Sequence, residues 1–144
     1  MNVLKLHSDA IIPTRAYEGD IGYDLYALET ITILPHSSES IRTGIAIELP
    51  TSEHVNKTIG ALIKSKSGLS VKYNIECGAG VIDNGYRGEL IVLLYNHSNI
   101  DFIVLKHSKI AQLLLVECFT PILQEVISMN TTERNENGFG SSGI

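Results

Sequence analysis

An all-β fold, a sandwich or barrel, is predicted by three features of the chain. Short runs rich in β-branched residues recur at even spacing, with turn-forming residues between them. Pro35, Pro50 and Pro121 fall between these runs or at their ends, where a missing N–H breaks no ladder. No stretch of helical length sustains a 3.6-residue apolar period.

Taken in order, Ile31-Thr32-Ile33-Leu34 reads as a strand by its β-branched content. Ser40 to Leu49 follows, and then the polar stretch Thr51 to Lys57, which is expected to be a surface loop. Thr58 to Ile63 and Val71 to Ile75 read as strands, with room for one short turn at Ser67-Gly68-Leu69-Ser70-Val71-Lys72 between them. Leu90-Ile91-Val92-Leu93-Leu94-Tyr95 has a strand's length and composition, as do Phe102 to Leu105 and Ile110 to Cys118. From Asn130 the character changes: apolar residues become few, and Gly138, Gly140 and Gly143 loosen the backbone. The expected organisation is one domain over residues 1–129 and a flexible arm over 130–144.

Composition narrows the function classes. A chain of 144 residues with 44% hydrophobic and 19% charged residues is one globular domain with a real core. Net charge is −5 and no Lys/Arg-rich stripe is present, so a nucleic-acid polymer is not an expected partner; a single nucleotide needs only a few cations. The longest apolar run, around Ala111 to Val116, is too short to span a membrane, and no leader is recognisable. A soluble, intracellular protein is expected. Cys77 and Cys118 lack CxxC or His partners and read as small buried hydrophobes.

The most informative segment is Gly80-Val81-Ile82-Asp83-Asn84-Gly85-Tyr86-Arg87-Gly88-Glu89. Asn84-Gly85 between two apolar runs predicts a type I′ hairpin turn, because both central residues of that turn need positive φ. Asp83 then sits at the mouth of a hairpin beside Tyr86. A carboxylate there can take a proton from water while a ring packs on a flat ligand; capping the turn is the plainer role for such an acid. In the tail, Phe139 stands alone among glycines with nothing obvious to pack on, and Arg134 adds a permanent cation.

Four further segments occur in order around this one: Gly22-Tyr23-Asp24-Leu25, Ser67-Gly68-Leu69, Ile110-Ala111-Gln112-Leu113 and Gly138-Phe139-Gly140-Ser141-Ser142-Gly143. Together the five resemble the ordered motifs of the trimeric dUTP diphosphatases (dUTPases), and they span the chain from Gly22 to Gly143. The resemblance implies a jelly roll and hydrolysis of dUTP to dUMP and pyrophosphate. That reaction limits uracil incorporation into DNA and supplies dUMP for dTMP synthesis.

Residue by residue, the resemblance makes Asp83 the group that activates water for attack on the α-phosphorus. Tyr86 is the ring that leaves no space for a ribose 2′-hydroxyl, a rejection by added bulk. The main chain of Gly78, Ala79 and Gly80 reads uracil at close range, which glycine permits. Lys66, Ser67, Gly68 and Gln112 contact phosphates, and Asp24 holds Mg²⁺ through water. The arm closes with Phe139 on uracil, Arg134 on the γ-phosphate, and Gly140 and Ser141 on phosphate oxygens. A homotrimer with sites shared between subunits is implied. Four positions depart from the family pattern: Lys66 and Lys109 stand where arginine is usual, and Asn135 and Asn137 where glycine is. Lysine keeps the charge but lacks the bidentate fork.

Two rival readings accompany this one. A dCTP deaminase shares the jelly roll, but it carries a catalytic Glu in the strand after the hairpin, where Leu93 stands here, and lacks the Phe-Gly-Ser arm. A regulatory scaffold derived from a dUTPase would show decay at Asp83 or Tyr86, and both are present. The tail's glycines also evoke a P-loop, but no Lys-Ser/Thr pair or helix follows.

Overall fold

The computed structural model describes residues 1–137. Among them, eleven strands and one short helix follow in chain order: β1 (Asn2–Lys5), β2 (Gly22–Tyr26), β3 (Ile31–Ile33), β4 (Ser38–Arg42), β5 (Ile45–Glu48), β6 (Lys57–Lys64), α1 (Ser67–Tyr73), β7 (Ile75–Gly78), β8 (Val81–Ile82), β9 (Ile91–Asn96), β10 (Phe102–Val104) and β11 (Lys109–Phe119). All strand pairs are antiparallel, in a four-stranded sheet β2-β11-β6-β8, a three-stranded sheet β4-β9-β7, and the ribbons β1-β5 and β10-β3. The two larger sheets bury one face each in a single core. Leu25 of β2, Ile63 of β6 and Leu113 of β11 meet Ile41 of β4, Ile75 of β7 and Leu94 of β9 there. Each such side chain contributes about 1.5–3 kcal/mol by leaving water. The architecture is a jelly-roll-like all-β fold, as expected from the sequence.

Several elements differ from the sequence reading, each for a local reason. Ser40 to Leu49 is not one strand, because the chain turns at Thr43-Gly44. Gly44 has φ 70° and lies where a Cβ would come within 2.9 Å of Ala10. Thr43 Oγ1 donates to the Leu90 carbonyl at 2.6 Å, and the Gly44 N–H donates to Glu89 at 2.8 Å, which holds the corner. Val71 to Ile75 is not a strand either: α1 runs through to Tyr73, and Asn74 ends it at φ 55° with its N–H bonded to Ser70 O at 3.1 Å. Leu69 packs on the core while Val71 is exposed, so β-branching at Val71 is overridden by the one contact that matters. The short strands β1, β2, β7 and β8 are additional to those read from the sequence. The segment at Thr51 is a loop, as expected, and β6 begins at Lys57.

Cys77 is half-buried, and Cys118 is exposed, contrary to the expected burial. Its strand β11 outruns the core, and from Glu117 onward its residues face solvent. The loop before β6 grips this end of β11. Glu117 accepts from Lys57 at 2.9 Å, Ser52 at 2.7 Å and His54 at 3.0 Å, which together hold its carboxyl down at about 2. The Thr120 N–H donates to Asn56 O at 2.8 Å. Beyond it, residues 120–137 form no strand or helix and are exposed throughout. No helix among the described residues is long and apolar enough to cross a membrane.

Candidate active site

The first cleft is lined by charged side chains, two lysines and two aspartates, and is built by three neighbouring elements. β11 pairs with β2 so that Gln112 faces Asp24, and with β6 so that Gln112 faces Lys64. Gly22 has no side chain because Gln112 crosses above it: a Cβ would lie 2.5 Å from Gln112 Oε1. The Gln112 amide donates to Ser65 O at 3.0 Å, which anchors the end of β6 just before Lys66. Asp24 is buried, at 6% exposure, and both of its oxygens are engaged. Lys66 Nζ bonds to Oδ1, and Lys109 Nζ bonds to Oδ2 at 2.7 Å. Burial alone would raise the Asp24 carboxyl, but the hydrogen bonds and charges of Lys109 and Lys66 outweigh it and hold it below its usual range. Asp24 in turn raises Lys109. Asp20, Gly22, Asp24, Lys66, Lys109 and Gln112 line a cleft of about 300 Å³.

Lys66 is the residue before α1, and Ser67 and Gly68 are its exposed first two residues. The first N–H groups of a helix have no partner inside it and point outward. Next to the cleft's two ammonium groups, the start of α1 therefore offers an exposed hydroxyl and main-chain donors, a set suited to phosphate oxygens.

Magnesium is tested by the same residues. No group of three or more His, Cys, Asp or Glu among the described residues is placed to hold a metal ion alone. Mg²⁺ does not require one, because it keeps several waters and takes one or two carboxylates plus substrate phosphates. A buried carboxylate at Asp24, with a second carboxylate at Asp20 on the cleft wall, fits an ion that arrives with a polyphosphate.

The second cleft is formed by the loop after β8. It is about 200 Å³ and lined by Ala79, Val81, Ile82, Asp83, Tyr86 and Glu89, with Ile91 at its edge. Asp83 and Tyr86 are exposed in it and adjacent, the Tyr86 N–H donating to Asp83 O at 3.1 Å. The expected type I′ hairpin at Asn84-Gly85 is not formed. Neither residue has positive φ, β8 pairs with β6, and β9 pairs with β4 and β7. The Asn84 side chain is committed elsewhere, donating to Pro50 O and Ile59 O at 2.9 Å each, so the loop is fixed from outside rather than by strand pairing. Arg87 Nη1 stiffens the loop by donating to Asn84 O at 2.6 Å and to Tyr86 O at 2.9 Å.

The Tyr86 ring is seated by two residues that sequence reasoning passed over. Its hydroxyl donates to Glu89 O at 3.0 Å, and a Cβ on Gly88 would lie 2.4 Å from that hydroxyl. The Tyr-Arg-Gly spacing was the available signal: a glycine two residues from a ring leaves room for the ring to fold back. The positive φ falls on Ala79, at 46°, between Gly78 and Gly80. Gly80 closes against β6, where Ile63 N–H donates to its carbonyl at 2.7 Å.

The structure brings part of the named set into two clefts, while Ser67, Gly68, Gly78 and Gly80 line neither. Asp24, Lys66, Lys109 and Gln112 meet at one, and Ala79, Asp83 and Tyr86 at the other, with no residue shared between them. Lys109 joins the first cleft as a direct partner of Asp24, a role its charge alone did not reveal. Arg134 lies in the exposed tail, its Nε donating to Asn137 O at 2.8 Å, and lines neither cleft. Phe139, Gly140 and Ser141 lie outside the described residues.

Fold and clefts define a jelly-roll protein with a cleft of paired lysines and aspartates and a second cleft holding an acid and an aromatic ring. The chain belongs to the dUTPase family, whose model matches residues 8–143. It is 43% identical to a deoxyuridine 5′-triphosphate nucleotidohydrolase of Clostridioides difficile, over all of this chain and 98% of the relative. It is 40% identical to the nucleotidohydrolase of the same name from swinepox virus, over 98% of this chain and 95% of that one. Among solved structures, the dUTPase of Staphylococcus bacteriophage 80alpha with dUpNHpp superposes with a TM-score of 0.88 at 29% identity, covering 99% of this chain and 98% of that one. A point mutant of the dUTPase from phage phi11 of S. aureus, described with a structural Mg(II) ion, matches with a TM-score of 0.81 at 25% identity, over 90% of this chain and 98% of that one.

Proposed function

We propose that the protein hydrolyses dUTP to dUMP and pyrophosphate with Asp83 as the base. Family membership carries the reaction; the observation that carries the mechanism is the loop that sets the exposed Asp83 carboxylate beside the seated Tyr86 ring in one cleft. Asp83 holds a water and takes its proton as the water oxygen bonds to the α-phosphorus. The bond from that phosphorus to the bridging oxygen breaks, and pyrophosphate leaves with the electron pair. Uracil is read by N–H and C=O groups of Gly78, Ala79 and Gly80, and Tyr86 excludes a 2′-hydroxyl by occupying its space.

Lys66, Ser67, Gly68, Gln112 and Lys109 neutralise and orient the triphosphate. Asp24 holds both lysines, which keeps their ammonium groups in the cleft. Mg²⁺ would be held by Asp24 through water and would supply further charge neutralisation on the phosphates. Arg134, Phe139, Gly140 and Ser141 complete the site from the arm.

The assembly is a homotrimer with shared sites. Two observations support it: the clefts on one chain are separate, and the end of β11 and the segment after it carry exposed Phe119, Ile122, Leu123, Ile127 and Met129, apolar surface that a solitary chain has no reason to display. The deaminase reading loses its catalytic acid, because β9 (Ile-Val-Leu-Leu-Tyr-Asn) contains none and Leu93 packs toward Gly78.

The test is hydrolysis of dUTP, UTP, dTTP and dCTP with and without Mg²⁺, with products identified. dUMP and pyrophosphate from dUTP, favoured over the other three, is the expected result. A uracil nucleotide formed from dCTP supports the deaminase, and no product from any of them supports the scaffold.

A further inference from the structure

Tyr95 stands one strand away from the turn Gly78-Ala79-Gly80 and has no part in the roles assigned above. β7 and β9 pair in the register Glu76↔Tyr95 and Gly78↔Leu93, which puts Tyr95 on the same sheet face as Gly78. Its ring reaches across to cover that glycine: a Cβ on Gly78 would lie 2.5 Å from Tyr95 Cε2 and 3.2 Å from its hydroxyl oxygen. β6 holds the other end of the turn, where a Cβ on Gly80 would lie 2.4 Å from the Ile63 carbonyl oxygen. Ala79, at φ 46°, is therefore suspended between an aromatic ring and a backbone. The ring is itself held, stacked on His97 at 5.9 Å between centroids and 15° between planes. His97 Nε2 lies 3.8 Å from Glu76.

We propose that Tyr95 is a positioning residue for base selection: its ring fixes the backbone of Gly78 and so sets the width of the slot that reads the base. The inference rests on the reading of Gly78, Ala79 and Gly80 as the uracil-recognising turn. Hydrogen bonds weaken steeply as their angle degrades, so the fidelity of main-chain readout depends on how little the main chain can shift. Glycine on both sides of Ala79 lets a ligand approach closely but gives the backbone freedom to move. The ring removes that freedom at Gly78, as Ile63 removes it at Gly80. The hydroxyl has no hydrogen bond to offer this function among the described residues, so the ring alone carries the effect.

The experiment compares Tyr95→Phe, Tyr95→Leu, Tyr95→Ala, Gly78→Ala and the double variant Gly78→Ala/Tyr95→Ala. It reads kcat and KM separately for dUTP, dTTP and dCTP, with melting temperature as a control for folding. Tyr95→Phe keeps the parent's KM and base preference. Tyr95→Ala raises KM for dUTP by about tenfold with kcat little changed, and narrows the preference for dUTP over dTTP by a similar factor, the size expected of a sub-ångström misplacement. Tyr95→Leu keeps apolar bulk without the ring's reach and follows Tyr95→Ala. Gly78→Ala collides with the ring and is impaired, and removing the ring in the double variant restores part of the loss. A Tyr95→Ala protein with the parent's KM and base preference overturns the proposal, as does Tyr95→Phe failing as badly as Tyr95→Ala. If Gly78→Ala shifts base preference while Tyr95→Ala and Tyr95→Leu do not, the turn reads the base without Tyr95. If none of them shifts it while dUTP is still hydrolysed, the base is read elsewhere and the underlying reading is the one that fails.

Discussion

The hydroxyl of Tyr86 donates to the main-chain carbonyl of Glu89 at 3.0 Å, and this bond folds the ring back over Gly88. The ring is thus a fixed wall, and a fixed wall can reject a ligand by bulk. Tyr86→Ala should shrink the preference for dUTP over UTP, measured as the ratio of kcat/KM for the two. Gly88→Ala should act in the same direction without touching the ring, since its Cβ would lie 2.6 Å from Tyr86 Cζ and push it away. An unchanged ratio in both variants would assign the discrimination to another group.

Asp24 stabilises the fold by meeting two ammonium groups. Its folded carboxyl lies below the unfolded value, so the contribution is full above the ordinary carboxylate range near pH 4 and is lost as pH falls through the depressed value. Asp24→Asn should cost about 1–3 kcal/mol at pH 6, the range for removing one charged partner of a hydrogen-bonded pair. The difference from the parent should narrow as pH drops below about 4. Chemical denaturation across pH 3 to 7 measures it, and a difference that does not vary with pH removes this role.

The tail is proposed to complete the site, and its described residues add little to the core. Deleting residues 133–144 should leave the melting temperature nearly unchanged, because Glu133 to Asn137 are exposed. It should cost most of the activity, since the stack proposed for Phe139 is worth about 1–3 kcal/mol and the charge of Arg134 is lost with it. Full activity in the truncated protein would deny the arm its role.

Strands whose apolar residues meet the core were legible in the sequence: β3, β6, β9, β10 and β11 all fall where β-branched runs stand. β2 was not, because Gly22-Tyr23-Asp24 carries a glycine and a buried acid whose reasons lie in Gln112, Lys66 and Lys109, remote in sequence. The short turn expected at Ser67 to Lys72 is the helix α1, but its end was also read as the start of a strand because of Val71, whose β preference goes unused on an exposed face. Asn84-Gly85 misled for a related reason: Asn84 is a tertiary anchor to Pro50 and Ile59, and a dipeptide rule cannot see its partners. At the site, residue types and order were legible: Asp24, Lys66 and Gln112 meet in one cleft, and Ala79, Asp83 and Tyr86 in the other. Lys109 as the second partner of Asp24 was not, because pairing across β2 and β11 decides it.

The proposed sharing of sites between subunits makes a distinctive prediction about mixing. An Asp83→Asn protein and an arm-truncated protein, each inactive alone, should regain activity when unfolded and refolded together. Random assembly in a closed ring gives roughly a quarter of sites both a good loop and a good arm. No recovery would place both groups of a site on one chain, and a monomer by light scattering would exclude the trimer outright.

The most direct test of the mechanism is the turnover of Asp83→Asn on saturating dUTP with Mg²⁺. Asn keeps the shape of the side chain, in a position exposed to the cleft, but cannot accept the water's proton. Turnover should fall by about 10²–10⁴ while dUTP still binds, the loss expected of a missing general base. Turnover near that of the parent would contradict the assignment of Asp83 as the base.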